Sequence, residues 1–96
     1  MVIYKYQLNQ TSGSQSIMMP RDLALVHAGE DPSGHYCVWA LVDKASTPVR
    51  KRLRIVGTGE DYDHDEWTHA FTWVTDKFVW HLLTEKDFYK GRQLPR

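Results

Sequence analysis

Residues 50–67, RKRLRIVGTGEDYDHDEW, hold most of the chain's candidate chemistry. Arg50, Arg52 and Arg54 alternate along one run, Gly57-Thr58-Gly59 follows, and five carboxylates fall within the seven positions from Glu60 to Glu66, ahead of Trp67. As a phosphate cradle, the two glycines would let backbone amides approach an oxyanion while the arginines supply bidentate charge. A Walker loop needs Gly-Lys-Ser/Thr opening a helix, and a dinucleotide fingerprint needs a third glycine inside a βαβ unit. Neither is present, so the plainer expectation is a strand that ends where positive φ is required, with its arginines solvated.

The acidic half invites a calcium reading, because Asp61, Asp63 and Asp65 alternate as in the first half of an EF-hand loop. The second half fails: the sixth position is Glu66 instead of glycine, and the twelfth is Thr72 instead of glutamate. Carboxylates this close repel one another, and either the arginine strand or an external basic partner would relieve them. His27, His35, His64, His69 and His81 stand in no zinc register. Cys37 lies between Tyr36, Val38 and Trp39, where an inert thiol is expected, and the serines form no nucleophile elbow. Nothing in the sequence pairs Asp22 and Asp43 as acid and base. No catalytic residue, metal or cofactor is assigned, and the chain is expected not to be an enzyme.

The elements that must position these residues read as strands. Val2, Tyr4, Tyr6 and Leu8 recur at period two, and LALVHAGE (23–30) resumes an extended pattern after Pro20 halts the run Ile17 to Met19. HYCVWALVD (35–43) is apolar at nearly every position, as in a central strand covered on both faces. VRKRLRIV (49–56) alternates: Val49, Leu53 and Ile55 share one face with Lys51, and Arg50, Arg52, Arg54 and Val56 share the other. These two runs are expected to form a hairpin. HAFTWVT (69–75) and FVWHLLT (78–84) are expected to form another, turning at Asp76-Lys77. Thr84 and Asp87 resemble a capping box with Gly91 as C-cap, predicting a short C-terminal helix within 85–90. Trp39, Trp73 and Trp80 are expected in the core. Trp67, beside Tyr62, is expected either to contact a partner or to anchor the loop.

Together these features predict a mainly β fold, a small antiparallel sandwich or barrel of six to seven strands, with one domain over 1–84 and an extension over 85–96. Twelve acidic and twelve basic residues give zero net charge, so any nucleic-acid or membrane attraction must come from a local patch. One cysteine allows no intrachain disulfide, and no apolar run reaches the roughly 20 residues of a membrane span.

The phrases YKYQL, MP before LALVHAGE, CVWALVD, RLRIVGTG and FVWHLL resemble a family of small uncharacterised proteins carried mainly by bacteriophages and their hosts. The resemblance covers about residues 3 to 83, with WALVD and IVGTG its most specific elements, and makes TEKDFYKGRQLPR look like an extension peculiar to this chain. It implies a phage accessory protein acting in the host cytoplasm and assigns no catalytic residues. The leading expectation is an inhibitor that binds a host protein, such as a nucleic-acid-binding immune effector, in counter-defence. Its contact surface would be Asp61, Tyr62, Asp63, Asp65 and Trp67. The alternative is an oligomer that sequesters a nucleotide or similar anion between Arg50, Arg52, Arg54 and Gly57-Thr58-Gly59. Exposed strand edges make a homodimer compatible with either.

Overall fold

A computed structural model describes residues 1–10 and 13–89. Seven strands follow in order: β1 (Val2–Gln7), β2 (Ser14–Pro20), β3 (Leu23–Glu30), β4 (Tyr36–Val42), β5 (Pro48–Gly57), β6 (Trp67–Val74) and β7 (Val79–Glu85). They form two antiparallel sheets, ordered β1-β4-β3 and β2-β5-β7-β6. The period-two residues meet between them. Val38, Ala40, Val42, Leu23 and Ala28 from the first sheet share a core with Leu53, Ile55, Leu82 and Trp73 from the second, in a sandwich-like arrangement.

The expected hairpin of 35–43 with 49–56 does not form. β4 is paired on both sides by β1 and β3, whereas β5 lies in the other sheet between β2 and β7. The reason is at the corner. Pro20 and Pro48 stand directly opposite each other at the end of the β2–β5 ladder, and neither has an amide to donate. The ladder stops, and both chains pass to the other sheet, where Leu23 pairs with Val42. The two crossings are bonded to each other: Arg21 N donates to Thr47 O at 2.9 Å and Asp43 N to Asp22 O at 3.0 Å. The hairpin of β6 with β7 does form, closed by Thr75 N donating to Phe78 O at 2.8 Å.

The predicted C-terminal helix is absent among the described residues. Thr84 cannot cap one, because it is buried in β7 and pairs with Leu53 on one side and Thr68 on the other. Residues 86–89 instead form a turn, with Phe88 N donating to Glu85 O at 3.0 Å, that inserts Phe88 into the core at 1% exposure. Gly91, the expected C-cap, lies outside the described residues. The turn also explains an inward-facing cation: Lys51 shares the core face of β5, and its buried ammonium donates to the Phe88 carbonyl and sits over the Phe88 ring. Such a group is tolerated inside only with a partner.

Trp73 fills the core and Trp80 packs against it, but Trp39 lies on the outer face of the three-stranded sheet, its ring tilted against that of His27 at 5.5 Å between centroids. Cys37, in the same strand, is a free, fully buried thiol whose pKa burial raises. No helix of the described structure is long and apolar enough to cross a membrane.

The β3–β4 turn is pinned by Asp31. Its side chain accepts from Lys5 Nζ at 2.9 Å, from Ser33 N at 2.9 Å and from His35 N at 3.0 Å, which joins β1 to the turn. The Lys5 hydrogen bond foremost, then those amides, hold the carboxyl down at about 2 against the opposing effect of desolvation. A carboxyl lowered in the folded state adds stability above its ordinary value near 4 that is lost as pH falls through about 2. Asp31→Asn is therefore expected to melt below the parent at pH 7, with the gap closing between pH 4 and 2 in thermal scans. A gap that stays constant over that window would contradict this assignment.

Candidate functional site

β7 lies between β5 and β6, and both pair with it antiparallel, so β5 and β6 run parallel. A parallel pair cannot be closed by a tight turn. The connection, residues 58–66, leaves β5 beside Trp80 and must reach Trp67 beside Glu85, a return of about 17 Å at strand rise. The inner face is filled by the other sheet, so the acidic residues travel along the outside.

Trp67 anchors that return. It is 3% exposed, and it packs with Val56 and Leu83, two outward-facing residues of β5 and β7 that form a small apolar cluster of their own with it. Arg52 lies over its ring at 5.0 Å. Trp67 N donates to Asp63 O at 2.9 Å, Asp65 N to Asp63 Oδ1 at 2.8 Å, and Lys86 N to Glu66 O at 3.2 Å. Of the two roles expected for Trp67, the geometry is that of the packing anchor: its ring is not available to a partner. Tyr62 is 37% exposed and is the aromatic that the loop presents.

The arginines project from the outer face as alternation requires, but they do not converge. Arg50 is exposed. Arg52 is committed: its guanidinium meets Glu66 Oε1 at 3.5 Å and its amide donates to Glu85 Oε2. Arg54 is half-buried, with its Nε enclosed and unpartnered. The expected pairing of the acidic loop with the arginine strand is thus made at one contact, Arg52 with Glu66. Asp61, Asp63 and Asp65 are exposed, and among the described residues no lysine or arginine pairs with them. The side chains of Asp63, His64 and Asp65 bring ligand-type atoms within 4.8 Å of one another on the exposed tip.

Gly57-Thr58-Gly59 closes a turn, with Glu60 N donating to Gly57 O at 3.1 Å. Gly59 holds φ +95°, where a Cβ would be strained, whereas Gly57 is an ordinary strand residue. Two of the amides expected to cradle an anion are spent. Gly57 N donates to the Glu60 carboxylate at 3.0 Å and Thr58 N to Val79 O at 3.2 Å. Beside the turn is a hollow of about 320 Å³ lined by Thr58, Glu60, Tyr62, His69, Thr72 and His81 together with Val56, Gly57 and Gly59. None of the three arginines reaches it.

On its floor runs a chain of hydrogen bonds that the sequence did not announce. Thr58 Oγ1 and His81 Nε2 are 2.8 Å apart, His81 Nδ1 and Thr72 Oγ1 2.8 Å, and Thr72 Oγ1 and His69 Nε2 2.8 Å. Residues 69 and 72 would face opposite ways in a regular strand. A bulge between His69 and Phe71 turns both outward and so assembles the chain. No motif marks a bulge of this kind, and the only sequence signal was that His69, Thr72 and His81 occur in adjoining strands.

An antiparallel sandwich with an anchored acidic crossover beside a polar hollow defines a small β domain. The chain belongs to the DUF7352 family of domains of unknown function, whose model matches residues 1–92. That span includes the turn bearing Phe88. No curated protein and no solved structure matches the chain.

Trp67→Ala is expected to lower the unfolding free energy by about 3 kcal/mol or more. Arg52→Ala, which removes a cation over a ring and one solvent-exposed ion pair, should cost about 1 kcal/mol. Urea midpoints of the two variants check this. Equal losses would mean that Trp67 does not anchor the loop.

Proposed function

We propose that this domain is a non-enzymatic binding protein that docks its acidic crossover onto a basic surface of another protein. The observation that carries the reading is that Asp61, Asp63 and Asp65 are exposed, with no lysine or arginine paired to them among the described residues, on a backbone fixed by Trp67 and the Asp63 turn. Side by side, these charges repel, and a complementary surface would relieve that repulsion. An ordered loop also loses less conformational entropy on binding than a floppy one. In the setting implied by the resemblance, a phage accessory protein in the host cytoplasm, the partner is a host factor. A nucleic-acid-binding immune effector fits best, since carboxylates can compete with phosphates for a basic groove, and the outcome is inhibition in counter-defence.

The rival reading, an oligomer that sequesters a nucleotide or other anion, asks the arginines and the glycine turn to converge. The separation of Arg50, Arg52 and Arg54 from the hollow, and the Glu60 carboxylate bonded to Gly57 N, favour the first reading.

The test is affinity capture from host lysate. The parent chain should retain a protein partner that elutes with rising salt, and the triple variant Asp61→Lys, Asp63→Lys, Asp65→Lys should lose it while keeping its melting temperature. Equal capture by the two chains would overturn the proposal.

A further inference from the structure

The hollow beside the glycine turn is lined by a carboxylate and by no cationic side chain. The side chains of Thr58, His81, Thr72 and His69 are bonded to one another, in a direction that follows the tautomers of the two imidazoles. The backbone amides of Gly57, Thr58 and Glu60 are spent on the Glu60 carboxylate, Val79 O and Gly57 O. The Glu60 carboxylate keeps its second oxygen, and the Tyr62 ring lines the same hollow. The lining contains no lysine or arginine.

We propose that this hollow receives a single arginine side chain of the protein partner. A guanidinium carries a positive charge and five N–H donors in a planar fork, which complements a site that holds a carboxylate and no cation. Its plane can stack on Tyr62 while its fork meets the Glu60 carboxylate. Lysine offers a compact, strongly hydrated ammonium that uses neither feature as well. A phosphate would meet the Glu60 carboxylate and no cationic side chain. The site adjoins the acidic crossover through Glu60 and Tyr62, so a basic surface seated on Asp61, Asp63 and Asp65 would bring its side chains to the hollow. The inference rests on the proposed docking of a basic protein partner and names the residue that the docking inserts.

The test is nuclear magnetic resonance of the full isotope-labelled chain, titrated in turn with Nα-acetyl-arginine amide, Nα-acetyl-lysine amide and inorganic phosphate. The arginine compound should move His69 Nδ1 and the Gly57 amide to saturation, and the lysine compound should bind about tenfold more weakly. Glu60→Gln keeps an oxygen for Gly57 N but removes the charge, and it should weaken arginine binding about tenfold. Unchanged Trp67 and Trp73 indole signals would report an intact fold. Equal response to arginine and lysine, no response at His69 and Gly57, or a response to phosphate would overturn the inference. The two proposals fail separately. If arginine leaves the hollow unmoved while the loop-dependent capture persists, only the arginine site is wrong. If arginine saturates the hollow but charge reversal leaves capture unchanged, only the docking reading is wrong.

Discussion

Because β7 sits between β5 and β6, the segment joining those two strands cannot turn in place and has to travel back along the sheet. Nothing in the inner core can hold it. Trp67 does so from outside, with its ring sealed against Val56 and Leu83 and under Arg52. An outward position on a strand would ordinarily be polar, and the burial of a large aromatic there is stabilising by a few kcal/mol. The charges of the crossover are displayed at fixed positions because that apolar contact holds their backbone.

The same return path decides what the neighbouring glycine turn can do. Glu60 begins the crossover, and its carboxylate takes the Gly57 amide that a phosphate would otherwise meet. Next to it, the bulge in β6 places His69 with Thr72 and His81, whose side chains bond to one another. Of the arginines, three to seven residues before Gly57 on β5, Arg52 is left to Glu66 and Trp67, Arg50 to solvent, and Arg54 stays half-buried. Positive and negative halves of one sequence stretch therefore become separate surfaces.

The strands themselves were legible because period-two alternation and turn chemistry are local signals. Lys51 among Leu53 and Ile55, and the outward row of Arg50, Arg52 and Arg54, follow from alternation alone. Pairing was less legible: a five-residue link suits a hairpin as well as a crossing, and only the Pro20–Pro48 opposition distinguishes them. Thr84 and Asp87 carried a helix signal, but a residue already paired on both sides cannot serve as a cap. Trp39 lies outside the core expected for it, and Trp67 could be read only as either contact or anchor, since aromatic character does not reveal which face of a sheet the chain will later cover. The histidine chain was invisible because a one-residue bulge leaves no pattern in composition.

The most direct measurement is backbone ¹⁵N relaxation across residues 60–66 in the free protein, with β4 as the rigid reference. A crossover pinned by Trp67 should give order parameters of about 0.85, equal to those of β4. Values below about 0.6 for Asp61, Asp63 and Asp65 would contradict it, because the carboxylates would then belong to a mobile tether with no fixed surface to present.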